Sequence, residues 1–140
     1  MKTLLQVKEF MDKAHSITGR EMQKTRSRVF VLDEEINAFR LQLIEDELDE
    51  LRDALANCNN NPENLHNYAE VLDALCDIQY VLDGAFHAFG FAPVKEKAMD
   101  EVQRSNMSKL DDCTVRADGK ILKGPKFSPP NLTAFVNEVL

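Results

Sequence analysis

Five carboxylates stand at spacings that let two helices turn them toward a single cation. Glu47 and Glu50 are three residues apart in a stretch with a helical apolar pattern. Residues at i and i+3 are neighbours on a helix surface, so the pair can present two oxygens to one ion. Glu70, Asp73 and Asp77 recur further on in a second such stretch. At 100° per residue they fall in one stripe about 60° wide. Between residues 65 and 89 nearly every other direction is apolar, the pattern of a buried helix. Carboxylates along such a helix repel one another and lose hydration, at a cost of several kcal/mol or a shifted pKa. A divalent cation relieves that cost, and an oxygen-only donor set suits Mg²⁺ or Mn²⁺ rather than Zn²⁺. The competing reading is a pair of solvated acidic faces, the commoner meaning of charged runs on helices.

The elements that must carry these residues follow from periodicity. Leu4, Val7, Met11 and Ala14 mark a first helix from Thr3 to about Ile17, followed by a polar connection from Ser16 to Arg28. A second helix is expected from Asp33 to Ala56, with Ile44, Leu48, Leu51 and Leu55 as its core face. Glu47 and Glu50 flank that face beside Leu43 and Ala54, whereas Glu45, Asp49 and Arg52 lie opposite, in solvent. The run Asn57-Cys-Asn-Asn-Asn-Pro62 reads as the turn that ends it. A third helix should occupy Glu63 to Phe89, stopped by Gly90 and Pro93, and a shorter one Val94 to Met107. The Asp118-Gly119 pair between two short runs predicts a small β-hairpin. Gly124 to Pro130 must be extended, and Leu132, Phe135, Val136, Val139 and Leu140 mark a last short helix. The expected fold is an all-α bundle of four or five helices with a small C-terminal hairpin and loop. Its domain is residues 1–110, and residues 111–140 are an appendage packed on it.

Composition bounds the function. The 140 residues carry 17 basic and 24 acidic side chains, a net charge of −7, with 44% hydrophobic residues. That supports a packed core and excludes wholesale disorder. It also argues against a partner such as a nucleic-acid polymer, because no basic face exists to replace its counterions. The three cysteines have no metal-ligand spacing, and an odd count argues for a reducing compartment. No apolar run is long enough to span a membrane, and a cytoplasmic protein is expected. The tail reverses the overall charge. Arg116, Lys120, Lys123 and Lys126 outnumber Asp118 between residues 114 and 127, a local balance of +3. Interleaved with Gly119, Gly124 and Pro125, these cations suit a loop that brings ammonium and backbone N–H groups to phosphates. Arg104 to Lys109 adds hydroxyl, amide and cationic donors. Glu63-Asn-Leu-His66 has the Glu-x-x-His spacing of di-iron bundles, but such a site needs a second copy of the motif. His15 and His87 read as packed or surface residues.

Arg40-Leu-Gln-Leu-Ile-Glu-Asp-Glu-Leu-Asp-Glu-Leu resembles the Glu-Glu-x-x-Glu helix of the all-α nucleoside triphosphate pyrophosphohydrolases, the MazG-like and phosphoribosyl-ATP pyrophosphohydrolase-like superfamily. Glu70-Val-Leu-Asp73 is similar to their downstream Glu-x-x-Asp, and Asp77-Ile-Gln-Tyr80 to the helix around it. Gln103-Arg-Ser-Asn-Met-Ser-Lys and Asp118-Gly-Lys-Ile-Leu-Lys-Gly-Pro-Lys resemble the C-terminal signature of a bacterial and phage branch. The resemblance covers roughly residues 30–131. It implies Mg²⁺ ligands at Glu47, Glu50, Glu70 and Asp73, with Mn²⁺ as a substitute. Glu47 and Glu50 would be the catalytic carboxylates, and Asp77, Tyr80, Asn106, Lys109 and Lys123 the substrate contacts. Asp46 stands where the family has the first glutamate of its pair, one methylene shorter. The implied reaction is hydrolysis of a nucleoside triphosphate, non-standard or deoxy forms such as dUTP included, to the monophosphate and pyrophosphate. A homodimer or larger homo-oligomer is implied as well. Two rivals are a helical interaction module without turnover, which Asp46 favours, and a di-iron carboxylate protein.

Overall fold

The computed structural model describes residues 2–19 and 33–140. These residues fall into two compact units, residues 1–92 and 93–140. The first holds three helices: α1 (Lys2–Thr18), α2 (Glu34–Asn60) and α3 (Leu65–Ala88). The connection expected from Ser16 onward lies outside the described residues beyond Gly19, and α1 itself continues through Thr18.

Capping residues fix where α2 and α3 begin. The Asp33 carboxylate accepts from the Ile36 N–H at 3.1 Å, and Glu34 and Glu35 place negative charge at the positive end of the helix dipole. Asn64 caps α3 in the same way, accepting from the His66 N–H at 3.0 Å. The end of α2 differs from expectation. The asparagine run does not stop it; the helix continues through Asn60, and Asn61 leaves the helical region (φ −144°, ψ 77°) before Pro62. Asparagine costs a helix only tenths of a kcal/mol, whereas proline forbids the next turn and pushes its predecessor out of the helical region. The connection, residues 61–64, is pinned by Asn67 Nδ2, which donates to the carbonyls of Asn57 (3.1 Å) and Asn61 (3.3 Å). The Tyr68 hydroxyl adds a bond to the Pro62 carbonyl (2.9 Å). This short turn sets the antiparallel register of α2 and α3, and with it which side chains meet across the seam.

The buried face of α2 is rotated from the expected one. Arg40 and Ala54 are buried and Leu43, Glu47 and Leu51 half-buried, whereas Leu48 and Leu55 are exposed. Glu47 thus lies within the inward stripe and not at its shoulder. Nor is α3 buried all round: Ala74, Gly84, Ala85 and Ala88 are, but Leu65, Leu72 and Leu75 are exposed. Among the described residues α3 packs chiefly on α1 and α2, which cover two of its sides, and its remaining leucines are exposed in the single chain. Val7 and Met11 of α1 pack on α3 around Ala88, with Ile36 and Phe89 at the margin, and Leu4 is buried as well. His87, a packed residue as expected, donates from Nε2 to the Leu4 carbonyl at 2.6 Å.

The second unit holds α4 (Lys95–Ser108), a two-stranded antiparallel hairpin β1 (Thr114–Val115) and β2 (Ile121–Leu122), and α5 (Thr133–Val139). Thr114 pairs with Leu122 and Val115 with Ile121, as the Asp118-Gly119 turn predicts. The extended tail is tied to α4. Ser128 N–H donates to Ser108 Oγ (2.9 Å), Asn131 N–H to Glu101 Oε1 (2.9 Å), and Arg104 Nη2 to the Pro129 carbonyl (3.2 Å). Position 124 must be glycine, because a Cβ there would overlap the Asp111 carbonyl.

Candidate functional site

The α2–α3 seam gathers Glu47, Glu50 and Asp77. Each offers a carboxylate oxygen within 4.8 Å of the others. Glu47 is half-buried, and its Oε2 is shut off from solvent with no hydrogen-bond partner among the described residues. Burial pushes the Glu47 carboxyl above its ordinary value, and the negative charges of Glu50, Asp77 and Asp46 push it further in the same direction. A buried acceptor next to two like charges is a state that a cation relieves, so the three residues fit a hard divalent ion held through oxygens.

Glu70 and Asp73 are placed otherwise. Both are exposed, and Glu70 pairs with His66 Nε2 at 3.2 Å. The desolvation expected along the whole α3 stripe therefore falls on the seam carboxylates and not on these two. They line an open acidic channel of about 310 Å³ together with Glu50, Asp53 and Asn57. Glu50 belongs both to this channel and to the three-carboxylate group, so all five of the sequence-derived acids are contiguous. Asp46 is exposed, accepts from Gln42 Nε2 at 2.8 Å and stands outside the group. Asp49 is paired with Arg52 at 2.7 Å on the solvent side, as expected.

On the other side of the group lies a mostly apolar cleft of about 220 Å³, with Tyr80, Arg40 and Phe10 in its walls and Glu47 and Asp77 at its edge. Tyr80, an expected substrate contact, is among the residues lining this cleft.

Within the second unit, Lys109 and Lys123 converge on Phe127, and Asn106 is bonded to Lys109. Lys109 Nζ donates to Asn106 Oδ1 at 2.8 Å, and the ammonium groups of Lys109 and Lys123 lie 5.8 and 4.5 Å from the ring centroid. The glycine N–H groups expected to face phosphates are engaged internally. Gly119 donates to the Arg116 carbonyl and Gly124 to that of Lys109. The lysine ammonium groups, Lys123 among them, are what the tail can offer to an anion.

A family model for phosphoribosyl-ATP pyrophosphohydrolase matches residues 11–106, from the middle of α1 almost to the end of α4. The chain belongs to that family. Phosphoribosyl-ATP pyrophosphohydrolases are hydrolases of a nucleotide phosphoanhydride, which identifies this chain as an enzyme of that kind and sets aside the module without turnover. His66 also points away from a di-iron site, since its partner is Glu70 and the three-carboxylate group contains no histidine. The match ends before the basic tail. No curated protein matches the chain. No helix of the described residues is long and apolar enough to cross a membrane.

Three contributors escaped the sequence reading. Arg40 stands seven residues before Glu47 amid apolar positions, and a basic residue on an inward face was the available signal. Phe10 and Phe127 gave none, because an aromatic in an amphipathic pattern reads first as core.

Proposed function

We propose that the chain hydrolyses a nucleoside triphosphate to the monophosphate and pyrophosphate with Mg²⁺, or Mn²⁺ in its place. The observation that carries this reading is the group Glu47, Glu50 and Asp77, with the Glu47 Oε2 acceptor buried and unpartnered among the described residues, in a chain of this family. Glu47, Glu50 and Asp77 would hold the cation, with Glu70 and Asp73 completing the site across the channel beside Glu50. Asp77 thereby moves from substrate contact to ligand. The cation supplies charge neutralisation to the phosphate oxygens and a hard Lewis acid. The protein supplies the base, a carboxylate of the same cluster that accepts the proton of the attacking water. That water attacks the α-phosphorus, the bond to the bridging oxygen breaks, and pyrophosphate leaves. Glu50 orients the water. Asn106, Lys109 and Lys123 supply donors and counter-charge for the phosphates, the role we assign to the basic tail of residues 111–140.

The exposed leucines of α2 and α3, Leu48, Leu55, Leu72 and Leu75, support a homodimer as the working form, since a second copy would cover them. Light scattering after gel filtration should give twice the chain mass. The decisive experiment is pyrophosphate release from a panel of ribo- and deoxynucleoside triphosphates, dUTP included, with Mg²⁺ and with chelator. Release from at least one, abolished by chelator, is expected; no release from any of them refutes the reading.

A further inference from the structure

The cleft beside the three carboxylates contains side chains to which the phosphoanhydride chemistry gives no task. Phe10 of α1 and Tyr80 of α3 meet edge to face across it, with ring centroids 5.9 Å apart and planes at 79°. Phe10 is nevertheless 57% exposed. An aromatic ring in water costs free energy that packing has not recovered here. Its edge-to-face contact holds it in a fixed orientation while leaving ring surface open. Arg40, in the same cleft, is the opposite case, a cation only 4% exposed. Its guanidinium lies close over Gly84, where a Cβ would stand 2.7 Å from Arg40 Nη1. Aromatic surface, a buried donor-only guanidinium and an apolar wall with Val7 and Met11 are the complement of a flat heterocycle with hydrogen-bonding edges. The acidic channel on the far side of the carboxylates has no aromatic residue in its lining.

We infer that this cleft takes the nucleoside end of the substrate, with the base stacked at Phe10 and Tyr80 and its edge toward Arg40, so that α1 governs nucleotide affinity and selectivity. The inference rests on the assignment of Glu47, Glu50 and Asp77 to the phosphoanhydride, because Glu47 and Asp77 belong both to that group and to the cleft. The phosphate chain then runs from the cleft past Glu47 and Asp77 toward Glu50. The cleft, about 220 Å³, is smaller than the ~300–1,000 Å³ of whole-ligand pockets, and suits one base rather than an entire nucleotide.

The test is titration calorimetry of the intact protein in Mg²⁺ buffer with AMP, GMP, CMP and UMP, and with ribose 5-phosphate as a control that lacks a base. Phe10→Ala changes an exposed side chain, so the fold should persist, as a circular dichroism melt checks. At least one nucleotide should bind the wild type more tightly than ribose 5-phosphate does. Phe10→Ala should weaken that nucleotide about tenfold, as loss of a stacking face does, and Phe10→Tyr should restore it. Ribose 5-phosphate should bind all three proteins alike. Equal nucleotide binding by wild type and Phe10→Ala, an equal loss for ribose 5-phosphate, or no preference of the wild type for any base overturns the inference. Pyrophosphate release measured on the same samples separates the two readings. Release that continues with an unaltered KM in Phe10→Ala overturns the base cleft alone, whereas nucleotide binding without release from any triphosphate overturns the reaction alone.

Discussion

Replacing Glu47 with Gln should stabilise the protein when divalent cations are removed and abolish the stabilisation they bring. The Glu47 carboxylate stands within 4.8 Å of two others. At that distance each like-charge pair costs about 1 kcal/mol at the dielectric of water and about 3 at an effective dielectric near 20. Because Glu50 is exposed and Asp77 half-buried, the lower figure applies to each, and neutralising Glu47 should recover about 1–2 kcal/mol. The sign follows from the raised carboxyl. A folded-state pKa above the unfolded one means that the folded chain is favoured by the protonated form, and that this favour is lost as pH rises through the folded value. At pH 7 the wild type therefore carries the full repulsion, and an isosteric neutral side chain does not. For a protein of this size, 1–2 kcal/mol corresponds to a rise in Tm of roughly 3–10 °C. Added salt should shrink the difference, since screening weakens the same repulsion. In the wild type, Mg²⁺ at about a hundred times its Kd should add about 2.7 kcal/mol, and in Glu47→Gln most of that increment should vanish. Thermal melts at low salt and pH 7, with chelator and then with Mg²⁺, read both effects. Asp49→Asn, on the solvent side and paired with Arg52, is the control and should shift stability by less than about 0.5 kcal/mol. An unchanged or lower Tm for Glu47→Gln in chelator, or a full Mg²⁺ increment in the variant, refutes the argument.

Asp73→Asn should cut pyrophosphate release and reduce the Mg²⁺ increment in Tm less than Glu47→Gln does, because Asp73 lies across the channel from the close group; full activity in this variant removes Asp73 from the site. Lys123→Ala should lower kcat/KM by roughly ten- to a hundred-fold, or about 1.4–2.7 kcal/mol of transition-state stabilisation, with little change in Tm; unaltered kinetics would leave the tail a structural clasp. Glu101 is held down to about 2 by Arg104 and the Asn131 N–H, so its contribution to stability is complete above the ordinary value of 4.5 and declines as pH falls toward 2. The Asn131 amide resonance should accordingly shift over that acid range in the wild type and not in Glu101→Gln; the same shift in both proteins would contradict it.

The helices, their approximate ends, the hairpin and the acidic positions were legible because each is a local property: apolar spacing, capping residues, turn chemistry and the i, i+3 geometry of Glu47 and Glu50. The leucines were the misleading signal. Periodicity reported that α2 and α3 have apolar sides, and Leu48, Leu55, Leu72 and Leu75 were read as core. A wheel gives relative directions on one helix and not which direction meets a neighbour, so the inward position of Glu47 was decided only by packing. The partnership of Glu47 and Glu50 with Asp77, rather than with Glu70 and Asp73, had the same origin. It depends on the antiparallel register that Asn67 and Tyr68 fix at the 61–64 turn, and a shift of one helical turn would bring other carboxylates into contact. Arg40 was readable as a residue and not as a neighbour of Gly84, since the space that a missing Cβ leaves exists only once two helices are pressed together. Sequence thus supplied the ligand types and their spacing along each helix. Tertiary structure chose which of them face one another, because that choice is made by side chains far apart in the chain competing for the same few ångströms of seam.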